Sequence, residues 1–132
     1  MMQTLQPPDW PRPKGYANGI VAEGRIVFVA GQIGWDAEQR LVSSDLVEQT
    51  EQVLKNIAAV LDEAGARPEH IVRMTWYVTD RHAYNDAQAE IGRVYRAVIG
   101  THYPAMTLLE VAALLEPGAL VEIEATAVLP ND

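Results

Sequence analysis

A regular alternation of apolar and polar side chains marks residues 121–127, near the end of the chain. Successive side chains on a β-strand point to opposite faces of the sheet. The valine, isoleucine and alanines of this segment are therefore predicted to share one face, and Glu122 and Glu124 the other. Before the strand, Glu116-Pro117-Gly118 predicts a turn, because proline presets one backbone angle and glycine tolerates the next.

A second strand is predicted on the other side of this turn, beginning near Pro104. Met106, Leu108 and Glu110 fall on one of its faces. Two of these side chains are large and apolar, and exposed apolar patches usually mark an interface. We therefore expect an oligomer that covers this face, with the carboxylates at or near a subunit boundary. A solvated outer face with carboxylates for solubility is the alternative.

The first part of the chain predicts an arm followed by a hairpin. Four prolines within residues 1–14 exclude a helix and predict an extended arm, which leaves residues 15–132 as a single domain. The segment Ile20-Val21, the turn Glu23-Gly24 and the segment 26–30 then predict two paired strands. Because 26–30 is continuously apolar, we expect a central strand that is covered on both faces.

Two helices are predicted from apolar residues at helical spacing. Asp45 is a good N-cap for the first helix, and Gly65 is its expected stop. An alternating strand at 71–79 follows, and then a second helix that begins near Arg81 and stops at Gly100. Helices separated by single strands predict an α+β domain, with one sheet and both helices packed on one of its faces.

Charge and composition narrow the functional classes. The formal net charge is −8, from 10 Lys+Arg against 18 Asp+Glu, and the basic residues are scattered. Nucleic-acid binding usually needs clustered positive charge, so we expect no nucleic-acid partner. No apolar run approaches the roughly 20 residues of a membrane helix, and residues 1–15 lack a signal-peptide core. We therefore expect a cytoplasmic protein with no membrane contact.

Few side chains remain as candidates for catalysis. The chain has no cysteine, and its histidines show no metal-ligand spacing, so we expect no metal and no cofactor. Carboxylates are the remaining acid–base candidates, with Glu122 and Glu124 on one strand face. In a partly apolar cleft between subunits, desolvation would disfavour the charged form of such a carboxylate. The group would then suit the positioning of a water or the transfer of a proton.

Five segments together form a specific pattern that covers nearly the whole domain. They are GYANGI at 15–20, VFVAGQIG at 27–34, QTEQVLKNIAAVLDEAGA at 49–66, VRMTWYVTD at 72–80, and YPAM, LEV and VEIEATA between 103 and 127. In these segments the chain resembles the Rid family, also called the YjgF or L-PSP family. The resemblance implies a chorismate-mutase-like fold, in which trimers pack their sheets into a central barrel with clefts between subunits.

The resemblance also implies a site in those clefts. In the imine-deaminating branch of the family, an arginine binds the substrate carboxylate and a glutamate on the last strand positions the attacking water. The glutamate corresponds to Glu122, whereas the arginine position carries Met106, which cannot donate to a carboxylate. The side chains expected to contact a substrate are Tyr16, Gly31, Gln32, Trp35, Met106 and Glu110.

Two functions from different classes follow. With Glu122 orienting water, the protein would hydrolyse an imine, an enamine or a related reactive metabolite in a cleft between the subunits of a homotrimer. Without the arginine, the same trimer would instead bind a small, less anionic ligand and leave it unchanged. The acidic charge disfavours a third function, the endoribonuclease activity attributed to some relatives.

Overall fold

A four-stranded sheet backed by helices forms the centre of the computed structural model, which describes residues 2–131. Along the chain the elements are β1 (Met2–Leu5), β2 (Gly19–Ala22), β3 (Arg25–Gln32), α1 (Leu46–Glu63), β4 (Ile71–Val78), α2 (Arg81–Asp86), α3 (Gln88–Val98), β5 (Ala105–Glu110) and β6 (Val121–Leu129). The spatial order of the main sheet is β3-β6-β4-β5, and β1 and β2 form a separate ribbon. The sheet is mixed, because β6 is antiparallel to both neighbours while β5 is parallel to β4.

The ends of α1 agree with the sequence prediction. The Asp45 side chain accepts a hydrogen bond from the backbone N–H of Glu48 at 3.0 Å, which caps the helix. After the helix, Gly65 has a φ of 73°, in the left-handed region that favours glycine. Local capping chemistry therefore sets both limits of the longest helix.

The second predicted helix is divided into two. Ala87 has φ −102° and ψ 9°, so that it ends α2 and begins α3. No glycine or proline marks the break. Ala87 and the neighbouring Tyr84 pack against the core, which indicates that tertiary packing rather than local sequence sets the bend. The domain thus contains three α-helices instead of the predicted two.

The hydrophobic core lies between the helices and one face of the sheet. Its members on α1 and the two central strands are Val53, Leu54, Ile57, Leu61, Ile71, Met74, Trp76, Val78, Val121, Ile123, Ala125, Ala127 and Leu129. The alternation predicted for β6 is confirmed, since its apolar residues enter this core and its glutamates do not.

The predicted orientation of β5 is wrong. Parallel pairing places Met106 beside Met74 and Leu108 beside Trp76, so these side chains face the helices rather than an open side. Glu110 lies at the same side, where it accepts a hydrogen bond from the backbone N–H of Arg81 at 2.9 Å. The register with the buried strand β4 therefore decides which face of β5 is covered.

The predicted hairpin between residues 20–21 and 26–30 is also wrong. β2 pairs with β1, and β3 pairs with β6 at the edge of the main sheet. In the single chain β3 is not covered on both faces, because Phe28 is 76% exposed and Ile26 is 58% exposed. The predicted extended arm supplies the competing partner, since residues 2–5 form β1.

Within the described residues, the helices are too short or too polar to cross a membrane.

The Asp45 cap provides a test of this local structure. We expect Asp45→Ala to lower the free energy of unfolding by about 1 kcal/mol, because the N–H of Glu48 loses its acceptor. Asp45→Asn retains a capping oxygen and should stay within about 0.5 kcal/mol of the parent. Urea denaturation measures both changes, and equal losses in the two variants would contradict the capping role.

Candidate functional site

One groove on the open side of the sheet brings together four residues that the sequence predicted for a site. Glu122, Gly31, Gln32 and Trp35 line a depression of about 360 Å³, together with Leu115 and other residues of the adjoining loops. We call it the Glu122 groove. Its size falls within the usual range for small-molecule sites.

The carboxylate of Glu122 lies directly over Gly31. A Cβ atom added to Gly31 would overlap Glu122 Oε2, and its distance to the carboxylate carbon would be only 3.0 Å. Glycine is therefore required at this position for the carboxylate to keep its place. The carboxylate can therefore lie against the β3 backbone on one side, with the groove on its other side.

A buried amide on α1 holds one loop next to this groove. Gln49 is fully buried, and its Nε2 donates to the backbone carbonyls of Ser43 and Gly118 at 2.9 Å each. Its Oε1 accepts from the backbone N–H of Leu120 at 2.8 Å. These bonds therefore hold the segment that leads into β6, just before Glu122, against α1.

A second amide on α1 holds the opposite wall. Asn56 Nδ2 donates to the carbonyl of Trp35 at 2.9 Å and to that of Ile33 at 3.2 Å. Gly34 packs against Gln49 so closely that a Cβ atom on it would lie 3.0 Å from the Gln49 Cα. One helix thus positions both loops that flank Glu122.

Sequence reasoning did not identify Gln49 or Asn56 as positioning residues. A signal was present, because Gln49 and Thr50 fall between Leu46 and Val53 on the apolar stripe of α1. A polar residue at a core position needs a hydrogen-bond partner, and here the partners are backbone groups of distant loops.

The open face of the sheet carries both glutamates of β6, as predicted. Glu124 accepts a hydrogen bond from the Tyr77 hydroxyl at 3.2 Å and lines a different depression, with Phe28 and Arg73. Desolvation, and then the charge of Glu124, raise the pKa of Tyr77 above its usual value. Glu122 and Glu124 therefore differ in surroundings, and only Glu122 shares a groove with Gly31 and Trp35.

Met106 lies in a second groove, on the helix side of the sheet. This depression of about 330 Å³ is lined by Met106 and by aromatic and basic side chains, and we call it the Met106 groove. Its lining residues are Lys14, Gly15, Trp76, Tyr84, Gln88, Ile91, Gly92, Tyr95, Arg96, Tyr103 and Met106. Tyr16 follows Gly15 and precedes Ala17, whose N–H donates to the Pro104 carbonyl at 2.9 Å.

The predicted site residues therefore form two groups within one chain. The Glu122 groove holds Glu122, Gly31, Gln32 and Trp35, whereas Met106 lies on the opposite face of the sheet. Tyr16 is next to the Met106 groove in sequence and is 42% exposed. Glu110 lines neither groove and instead accepts a hydrogen bond from the first residue of α2.

Between residues 2 and 131, no cluster of three or more histidine or acidic side chains has the spacing of a metal site. His102, in the loop before β5, has its Nε2 2.6 Å from the Ile71 carbonyl. Its own carbonyl accepts a hydrogen bond from the Tyr95 hydroxyl at 2.6 Å. This histidine is therefore engaged in joining the end of α3 to β4.

Residues 11–129 match the family described as Endoribonuclease L-PSP. The chain belongs to this family, which is also known as Rid or YjgF. The matched range includes every residue that lines the Glu122 groove or the Met106 groove.

Relatives and solved structures of the Rid family resemble the chain over most of its length. A RutC family protein of Pyrococcus abyssi is 37% identical over 118 residues, which is 89% of each chain. The human 2-iminobutanoate/2-iminopropanoate deaminase is 31% identical over 86% of this chain and 79% of its own. The crystal structure of the Rid protein YyfB from Yersinia pestis has a TM-score of 0.86 at 34% identity, covering 97% of this chain and 98% of the other.

The Gln49 network provides a second test. We expect Gln49→Leu to lower the free energy of unfolding by about 3 kcal/mol, because three partly buried backbone groups lose their partner. Gln52→Leu is the matched control on the same helix, where the amide donates only to the Asn56 side chain. Chemical denaturation compares the two, and losses of equal size would contradict the role of Gln49.

Proposed function

We propose that the protein is a Rid-type hydrolase that acts on an imine, an enamine or a related reactive small metabolite, in a cleft between the subunits of a homotrimer. In this reaction Glu122 accepts a hydrogen bond from the attacking water and takes one of its protons as the oxygen adds to the carbon. It then returns this proton to the nitrogen, which leaves as ammonia when the carbon–nitrogen bond breaks. The products are a carbonyl compound and ammonia. The single observation that carries the proposal is the Glu122 carboxylate held over Gly31 in a groove of suitable size.

The surroundings of Glu122 support this role. Gly31 lies against one side of the carboxylate, and the Gln49 and Asn56 amides hold the loops that surround it, which favours a well-positioned base. Trp35 supplies an apolar wall that reduces hydration of the groove. A relative 31% identical to the chain is named for the deamination of 2-imino acids.

The two faces of the sheet support an assembly of several copies. Met106 and Glu122 lie on opposite faces, so a site that uses both residues requires two chains. The open face also exposes Phe28 and Ile26, which a partner would cover. A trimer joined through these faces satisfies both conditions.

Met106 changes the expected substrate. At the position where the deaminating branch has arginine, methionine offers no donor to a carboxylate. A hydrogen bond to a charged group contributes about 1.5–3 kcal/mol, so small 2-imino acids should bind roughly 10- to 150-fold more weakly than with arginine. Imines whose recognition does not depend on that contact are the better candidates.

The proposed assembly is tested with Phe28→Glu. A buried carboxylate without a partner disfavours association, so we expect the mass in solution to fall from three chains to one. Val60→Glu is the control, because Val60 is a partly exposed apolar residue on α1, away from the open face. Light scattering coupled to size exclusion gives the mass, and a monomeric parent protein would contradict the assembly.

The proposed chemistry is tested by ammonia release from freshly generated imines, with both anionic and neutral substrates. We expect Glu122→Gln to lower the rate by about 100-fold or more, because an amide cannot act as the base. Glu124→Gln removes the neighbouring carboxylate on the same face and should stay within about twofold of the parent. Gly31→Ala should resemble Glu122→Gln, since its methyl group would occupy the space of the carboxylate.

Two results would contradict the proposal. Equal rates in the parent and Glu122→Gln would remove Glu122 from the mechanism. No release of ammonia by the parent, together with a rise in melting temperature on ligand addition, would instead indicate a binding protein without turnover.

A further inference from the structure

The Met106 groove differs in charge from the rest of the molecule. The chain carries 18 acidic residues and a net charge of −8, yet no carboxylate lines this groove. Its two charged lining residues, Lys14 and Arg96, are both basic. Within residues 2–131, neither of them forms an ion pair. Two cations facing one groove without a counter-charge favour an anionic occupant.

The guanidinium of Arg96 is directed along α3 toward Gly92. A Cβ atom added to Gly92 would lie 3.2 Å from Arg96 Nη1 and 4.0 Å from Arg96 Cζ. The two residues are one helical turn apart, so the guanidinium lies over the glycine, on the wall of the groove. A larger side chain at position 92 would crowd it. Gly92 therefore provides the space in which Arg96 reaches the groove.

The other walls are aromatic. Tyr95 and Tyr103 stack with ring centroids 5.4 Å apart, and the ring of Tyr84 meets Trp76 edge-on at 6.2 Å. These rings and Met106 offer flat apolar surfaces that suit a planar ligand. The groove volume of about 330 Å³ is adequate for a molecule of one ring and one charged group.

Trp76, one of the residues that line this groove, carries a donor that is unpaired among residues 2–131. Trp76 is almost fully buried, and its indole N–H has no hydrogen-bond acceptor within the described part of the chain. A buried donor of this kind is unfavourable in the free protein. A ligand acceptor that reaches the indole would remove this cost.

We infer that the Met106 groove binds the carboxylate of a flat, ring-containing small molecule, and that Arg96 supplies the cationic contact that residue 106 cannot. The inference rests on the proposed function only as far as it names a substrate class for it. Arg96 donates to the carboxylate, Lys14 adds long-range attraction, and the ring lies against Met106 and the tyrosines. The specificity of the site then differs from one built around an arginine on β5.

Equilibrium titration with benzoate, benzamide and acetate tests the inference by calorimetry, in the absence of any turnover. Benzamide retains the ring of benzoate without its charge, and acetate retains the charge without the ring. We expect the parent protein to bind benzoate at least 10-fold more tightly than either. Arg96→Gln should lose about 10-fold or more for benzoate and bind benzamide unchanged.

Arg93→Gln is the matched control, because Arg93 is an exposed arginine on the same helix that does not line the groove. It should bind benzoate within about twofold of the parent. Equal benzoate affinity in Arg96→Gln and Arg93→Gln, or no preference for benzoate over benzamide in the parent, would overturn the inference. Thermal unfolding confirms that both variants are folded.

The outcome is separable from that of the proposed function. Benzoate binding that depends on Arg96, without hydrolysis of any imine, would support the groove and contradict the hydrolase. Imine hydrolysis that depends on Glu122, with carboxylates bound equally by Arg96→Gln and the parent, would do the reverse.

Discussion

The hydrogen bonds of the Gln49 amide are the constraint on which the surroundings of Glu122 depend. Partly buried backbone groups in the loop before β6 need hydrogen-bond partners, and the Gln49 amide supplies them. One glutamine satisfies a donor and two acceptors because its amide carries both functions. Asn56 repeats the arrangement for the loop after β3. The position of α1 therefore determines the positions of the two loops that shape the Glu122 groove.

The two faces of the sheet divide the chemistry of the chain. The helix-covered face contains the core and, at its edge, an aromatic groove with basic side chains. The open face carries two glutamates, with a carboxylate fixed over a glycine. The proposed acid–base group and the proposed carboxylate-binding groove thus lie on opposite faces of one sheet. In the proposed trimer, neighbouring chains rather than folding within one chain would join the two halves.

Local patterns predicted the elements better than their partners. The period of two in β6 and the cap at Asp45 were sufficient to place that strand and the start of α1, because each depends on adjacent residues. The pairing of β2 with β1 depends on residues far apart in sequence, and both candidate partners have suitable composition. The face of β5 was misassigned because Met106 and Leu108 alternate with Thr107 and Leu109, so that both sides contain apolar groups.

The candidate site shows the same limit. Glu122, Gly31, Gln32 and Trp35 were all named from the sequence and share a groove, whereas Met106 and Glu110 do not lie in it. Gln49 was missed because its partners lie in two loops. One of these partners, Leu120, is 71 residues away in sequence. Arg96 was missed because its role depends on the groove formed by α3 with β4 and β5.

The irregularity in β3 bears on how readily this edge of the sheet could pair with another chain. Its pairing with β6 shifts register between Val29 and Gln32, which bends the outer margin of the sheet. A bent margin cannot template a long, straight addition of further chains. Gly31 lies within this irregular stretch, so the glycine next to Glu122 also belongs to the part of the edge strand that is least suited to pairing with another sheet.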